Sequence, residues 1–334
     1  MSGFSLWFFG ALAAFCWYTV FVAPTTSAAP ASPYSKVATA ALYPKGQLVA
    51  FWYVKKVELN SAPEDVETPA ANTPTMALVE SVRKSLLGIK ANFMREDGGA
   101  VNYAKVKSSL EFREYLKLVA QLRDVSLETL SPKEKKAALI NVYNSLIVHA
   151  IINGLLDVKG GTLARLKLYA SASYNIGGNL FSLNELENGL LRGNRLSAVP
   201  LTFKPFRKLS DPRRLLMLDC DARIHFALNC GAVGCPPIGV YSPLEIDEQL
   251  DVATQGFLDN SVAFDVATRT VTLSMLLNWY RHDFGSTDDE VLAWIKDRSS
   301  PQLRSKFDAF QAGIGDQKPK LAYAAYDWSL NDDL

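Results

Sequence analysis

The chain has 334 residues, of which 49% are hydrophobic and 21% charged, and its 35 Lys and Arg nearly balance 34 Asp and Glu. That length buries a full core without metals or disulfides, and near-neutrality excludes an acidic tail and gives no support for a nucleic-acid partner. The one basic cluster, Arg192 to Arg214, has only Phe203 and Phe206 among its charges, too few aromatics for a single-strand-binding groove, and reads as a solvated loop face.

Residues 1–29 open with Gly3 to Ala23, which carry no charge, and the first Lys or Arg is Lys36. The segment reads as a signal peptide or an uncleaved N-terminal membrane anchor, so the body of the protein is expected in the secretory route, secreted or tethered. Cys16 lies inside it. Three further cysteines, Cys220, Cys230 and Cys235, are an odd number in a compartment that favours disulfides, which leaves at least one thiol over.

Residues 30–75 are rich in Pro, Ala, Ser and Thr and read as a tether. Leu48 to Leu59 interrupt it as a strand or a segment that docks on the domain. Residues 76–334 are expected to form a single α+β domain, a helical first half packed on a small, mostly antiparallel sheet containing Ile224 to Cys230. MALVESVRKSLLGIKANF and SSLEFREYLKLVAQL both show helical periodicity.

The next helix, after Ser131-Pro132, has no formal charge between Lys136 and Asp157, so protein should cover both its flanks. At about 100° per residue, Asn141, Asn144, Ser145 and Val148 share one narrow face. Its amides must bond to neighbouring backbone or line a cleft. His149, off that face, reads as a satisfied core histidine.

SLNELENGLLRG starts with a capping box, Ser182 with Glu185, and its wheel places Glu187 in the middle of the leucine face. A carboxylate there either pairs with an internal arginine or orients a histidine.

In ARIHFALNC, an extended chain turns Ile224, Phe226, Leu228 and Cys230 to one side and His225, Ala227 and Asn229 to the other. On that parity Cys235, swinging back after Gly231-Ala-Val-Gly234, is the better partner of His225. Three readings stay open. Cys235 as nucleophile, His225 as base and Glu187 as orienter, with Asn229 or Asn141 as oxyanion donor, make a thiol enzyme. A Cys230 to Cys235 disulfide would disarm it. Cys220, His225, Cys230 and Cys235 have a zinc-like spacing, but the alternation sends them to different faces, and neither metal nor cofactor is expected.

The runs NVYNSLIVHAII, YNIGGNLFSLNELENGLLRG, DARIHFALNCGAVGCPPIGVYSP, VTLSMLLNWYRHDFG and YDWSLND, in that order between Tyr103 and Leu334, resemble the domain of unknown function family 547. The resemblance implies a papain-like or transglutaminase-like fold with thiol chemistry in a cleft between helices and a sheet. It places the family's histidine and cysteines on His225, Cys230 and Cys235 and its helical glutamate on Glu187, whereas Asn188 stands where the family usually has a histidine. The expected function is thiol-dependent amide or ester hydrolysis or transfer. The alternative is a non-catalytic extracellular binding domain, in which Cys230 and Cys235 are bonded and the Asn141, Asn144, Ser145 face takes a small-molecule, peptide or glycan ligand. Membrane contact is expected only through the N-terminal segment.

Overall fold

The computed structural model describes residues 39–42, 48–51, 54–61, 73–93, 101–157, 161–198, 204–239 and 241–330. The leader expected over 1–29 and most of the tether over 30–75 lie outside these residues. Among the described residues no helix is long and apolar enough to cross a membrane.

The chain divides into two compact units, Met1–Val54 with Pro200–Thr202, and Lys55–Val199 with Phe203–Leu334. In the smaller one, the described part is an antiparallel pair, β1 (Thr39–Leu42) with β2 (Leu48–Phe51). The larger one is an α+β body with two small sheets.

That body begins with β3 (Val57–Glu58), followed by helices α1 (Thr75–Phe93), α2 (Tyr103–Lys107) and α3 (Leu110–Ala120), the first and third as the periodicity predicts. Helix α4 (Pro132–Ile152) starts with Ser131 and Glu134 in a reciprocal cap and proline at its first turn. Every residue from Ala137 to Ile152 is buried, which accounts for the missing charges. After α5 (Gly161–Ser171), β4 (Ala172–Ile176) and β5 (Asn179–Ser182) complete a mixed sheet in the order β3-β4-β5. Its β3-β4 pair is parallel and its β4-β5 pair antiparallel.

The second half contains α6 (Ile246–Ser261), β6 (Ala263–Asp265), β7 (Thr270–Leu273), α7 (Met275–Trp279), α8 (Arg281–Phe284), α9 (Asp288–Arg298), α10 (Pro301–Ile314) and β8 (Lys320–Tyr323). The stretch from Met275 to Phe284 is thus two short helices with Tyr280 between them. Here too the sheet is mixed, β6-β7 antiparallel and β7-β8 parallel. Among the described strand pairs three are antiparallel and two parallel, so the antiparallel pairing expected from the sequence is the majority.

Two hydrophobic clusters fill the body, one built on α1 to α4 and the first sheet, the other on α9, α10 and the second sheet. ARIHFAL runs between them, and this explains the main departure from the sequence reading. Ala222 and Phe226 belong to the second cluster, whereas Ile224, Ala227 and Leu228 belong to the first. Splitting neighbours this way needs spacings of three and four, which a helical turn supplies and a strand does not. Residues Ala222–Phe226 therefore form a 3-10 turn, started by Asp221, whose side chain accepts from the Arg223 N–H at 3.1 Å. The strand expected over Ile224 to Cys230 is absent, and with it the alternation that paired His225 with Cys235.

Candidate functional site

The polar stripe of α4 builds the floor under the cysteine loop. Asn144 accepts from the Asn229 N–H at 2.9 Å and donates to the Ala227 carbonyl at 3.0 Å, so one amide replaces the strand partner that this segment lacks. Asn141 donates to the Tyr241 carbonyl at 2.7 Å. Asn229 in turn accepts from the Gly231 N–H at 2.7 Å and donates to the Pro236 carbonyl at 2.8 Å, which fixes the turn. Asn141, Asn144, Ser145 and Asn229 are all buried. The two amides of the stripe bond to backbone, whereas the Ser145 hydroxyl has no hydrogen-bond partner.

Gly231 adopts φ +77°, and a Cβ there would come within 2.5 Å of Ile151. Only glycine suits both the left-handed backbone and the close approach to α4. The loop is also tied to the C-terminal segment, with Val233 N–H donating to the Ser329 carbonyl at 2.9 Å and Gly234 N–H to the Asp327 carbonyl at 3.0 Å. Buried Arg165 donates to the carbonyls of Cys230, at 3.3 Å, and of Trp328. This accounts for the YDWSL run at the end of the chain.

Within the loop Cys230 and Cys235 are joined as a disulfide, with their Cα atoms 6.0 Å apart. The Sγ of Cys235 also accepts from the Cys230 N–H at 3.0 Å and the Tyr326 hydroxyl at 3.2 Å, and that hydroxyl is 3.3 Å from the Cys230 Sγ. Cys220 is the free cysteine among the described residues, and burial, with help from the negative Asp283, pushes its thiol up to about 11.

His225 sits elsewhere. It is 3% exposed, its Nε2 lies 2.8 Å from Oδ2 of Asp283, and its ring stacks on Tyr280 with centroids 3.8 Å apart. No hydrogen bond joins it to Cys235. Asp283 accepts also from Arg192 Nε and from Arg195, each at 2.6 Å, and these donors outweigh burial and hold its carboxyl far below the usual range. Burial pushes the His225 pKa down, against the pull of Asp283. The imidazole is therefore neutral at pH 7 and donates through Nε2.

Glu187, 8% exposed, takes neither of the partners expected for it. It accepts from the hydroxyls of Tyr280 at 2.6 Å and Tyr143 at 3.2 Å. Burial first, and then the negative Glu187, hold both phenols well above their ordinary pKa, so they remain donors. Tyr280 joins the two groups, since its hydroxyl bonds Glu187, its ring stacks on His225, and the Arg192 guanidinium lies 4.8 Å from the ring centroid. The segment Glu185–Leu191 begins with the expected Ser182 and Glu185 box but winds as a π-helix. Its wide turn is closed by the bonds of Arg192 N–H to the Glu187 carbonyl and of Asn194 N–H to the Gly189 carbonyl.

The arrangement Cys235, His225 and Glu187 is thus corrected on geometry. Cys235 is bonded to Cys230, His225 is oriented by Asp283, and Glu187 serves two tyrosines. The orienter that sequence reasoning missed, Asp283, lies in WYRHDFG, directly after Arg281 and His282, polar neighbours that made it look like surface. Nor do Cys220, His225, Cys230 and Cys235 gather as ligands; among the described residues no group of three or more His, Cys, Asp or Glu is placed to hold a metal ion.

What the loop does line is an open cleft of about 1050 Å³ along α6. Ile246, Leu250, Thr254 and Leu258 turn inward at a spacing of four, which leaves the opposite face of α6 to the cleft. Val252, Ala253 and Phe257 are apolar lining residues on α6, Cys235 and Tyr326 line it too, and Glu245, Glu248 and Asp327 are the charged residues. No Lys, Arg or His lines it among the described residues. Of the residues singled out from sequence, Cys235 belongs to the cleft, whereas His225, Glu187, Asn141, Asn144, Ser145 and Asn229 do not.

No curated protein and no solved structure matches the chain, so the papain-like or transglutaminase-like relation finds no support there. A family model does match, over residues 127–258, a span that holds Asn141, Glu187, His225, Cys230 and Cys235 but ends before Tyr280, Asp283 and Tyr326. Through that segment the chain is similar to the family described as a protein of unknown function, DUF547.

Proposed function

We propose that the chain is a ligand-binding domain whose cleft along α6 takes a basic, extended ligand, a peptide segment carrying Lys or Arg side chains. The observation that carries this reading is the lining, with three carboxylates, Glu245, Glu248 and Asp327, no cationic side chain among its described residues, and an apolar side at Val252, Ala253 and Phe257. Aliphatic stems of Lys and Arg pack on such a side while their charged ends reach the carboxylates. A volume of about 1050 Å³ is at the upper end of small-molecule pockets, which suits several residues of an extended chain.

The charge-free stretch Gly3–Ala23 and a cysteine pair of the kind that oxidising compartments keep linked both support a secretory location for this binding.

Fluorescence anisotropy with a labelled Lys-Ala repeat peptide tests the reading. Binding is expected for the wild type, to weaken about tenfold with Glu248→Lys, a change of about 1.4 kcal/mol, and to be absent for a Glu-Ala repeat. Equal affinity of the Lys peptide for wild type and a Glu245→Lys, Glu248→Lys double variant overturns it.

A further inference from the structure

Cys230 and Cys235 are chemically unequal. Cys235 lines the cleft and Cys230 does not. The Cys235 sulfur receives two donors, the Cys230 N–H at 3.0 Å and the Tyr326 hydroxyl at 3.2 Å, whereas Cys230 Sγ has the tyrosine hydroxyl at 3.3 Å. Donors aimed at a sulfur stabilise its thiolate, which is the form that attacks disulfides. Tyr326 reaches both sulfurs, so the same O–H serves the charge on whichever of them carries it. Burial holds this phenol well above its ordinary pKa, so it stays a donor. The Arg165 guanidinium, bonded to the Cys230 carbonyl, adds a fixed positive charge beside the pair.

Backbone ties complement this asymmetry. The Cys230 carbonyl is held by Arg165 and by the Tyr169 hydroxyl at 3.5 Å, while Gly231 and Gly234 bracket the turn that carries Cys235. Because the loop is bonded to residues 327–329, opening the sulfur bond leaves both cysteines in place to close it again.

We propose that Cys230 and Cys235 form a dithiol–disulfide exchange site, with Cys235 as the attacking sulfur and Cys230 as the resolving one, acting on thiols and disulfides that enter the cleft. In the reducing direction, the Cys235 thiolate attacks one sulfur of a substrate disulfide, forms a mixed disulfide and expels the other substrate sulfur as a thiolate. Cys230, its proton lost to solvent, then attacks Cys235 Sγ and releases the second substrate thiolate. Two electrons pass from the protein dithiol to the substrate, and the released thiolates take up two protons. In the oxidising direction, a substrate thiolate attacks Cys235 Sγ, Cys230 leaves, and a second substrate thiol completes the exchange.

The proposal shares the cleft with the binding reading but fails separately from it. Lys-peptide binding and exchange with the small neutral probe hydroxyethyl disulfide are separate readouts, so lost peptide binding with intact exchange sinks the binding reading alone, and an inert pair with intact peptide binding sinks this one alone.

Two measurements test it on the full chain. The wild type, titrated with reduced and oxidised glutathione, alkylated and peptide-mapped by mass spectrometry, is expected to pass between dithiol and disulfide within the glutathione range. A pair that stays closed throughout and opens only with dithiothreitol is a structural disulfide and overturns the proposal. In the second measurement, Cys230→Ser and Cys235→Ser are challenged with hydroxyethyl disulfide. Adduct formation on Cys235 is expected to be at least about tenfold faster than on Cys230, and adding Tyr326→Phe to the Cys230→Ser variant to slow it by about tenfold, the effect of losing one donor to a thiolate. Equal rates at the two sulfurs overturn the assignment of roles. The glutathione titration needs no substitution, so misfolding of a variant does not protect the proposal.

Discussion

Asp283 lies 2.8 Å from the Nε2 of His225, 58 residues away in sequence, and the same carboxylate is shared with Arg192 and Arg195. Its side chain is 1% exposed, so the negative charge has left water and depends on these partners. The two arginines are not equivalent, since Arg192 is 5% exposed in its side chain and Arg195 47%. Asp283→Asn keeps an acceptor for His225 but leaves Arg192 a buried cation without its counter-charge, and is expected to cost about 3 kcal/mol. Arg195→Ala removes a half-exposed partner and should cost less than about 1 kcal/mol. Urea unfolding of both variants at pH 7.5 measures the difference, and similar losses in the two would show that Asp283 is not held mainly from inside.

Much of the scaffold around this pair was legible. Ser131-Pro132 and the pair Ser182 with Glu185 marked two element starts, because caps are local chemistry that three or four residues decide. The uncharged run of α4 announced its burial. What could not be read was ARIHFAL, whose apolar residues fit a strand equally well until two separate cores claim Ala222 with Phe226 and Ile224 with Leu228. That is a tertiary fact. Asp283 and Tyr280 were hidden for a related reason: their partners come from segments about 60 and 90 residues earlier, and no local pattern marks a charge that becomes internal only on folding. The cleft depended on knowing which face of α6 packs inward, although its four-residue spacing was present in the sequence.

Acid should weaken the fold through its histidines. Burial pushes the pKa of His149 down to about 3, with its Nδ1 2.8 Å from the Tyr174 hydroxyl and its ring against the edges of Phe112 and Tyr115. In the unfolded chain the same group takes a proton near its ordinary pKa of 6.5. The unfolded state therefore binds more protons between these values, and the stability that neutral His149 contributes is complete above about pH 6.5 and is lost as pH falls towards 3, at up to roughly 1.4 kcal/mol per pH unit. His225, also pushed down by burial, acts in the same direction, and Asp283 adds to it only below the ordinary carboxylate range. Urea midpoints from pH 8 to pH 4 are expected to fall steadily below pH 6.5 in the wild type and less steeply in His149→Phe. Parallel slopes in the two proteins would remove His149 from the account.

Asn144 and Ser145 are neighbours on α4, both buried, yet their side chains stand in opposite situations. The Asn144 amide satisfies the Asn229 N–H and the Ala227 carbonyl, two backbone groups under the cysteine loop. The Ser145 hydroxyl has no hydrogen-bond partner. Removing the amide leaves a donor and an acceptor without partners in a dry interior, so Asn144→Ala is expected to cost about 2–4 kcal/mol. Removing the hydroxyl relieves an unmet group and opens only a small space, so Ser145→Ala is expected to be neutral or to stabilise by up to about 1 kcal/mol. Thermal and urea unfolding decide the stability order. Hydrogen exchange at the Asn229 and Gly231 amides then locates the effect, because in Asn144→Ala these two are expected to lose protection before the rest of α4 does. If Asn144→Ala proved as benign as Ser145→Ala, the loop would owe its place to its ties with residues 327–329 and not to the helix beneath it.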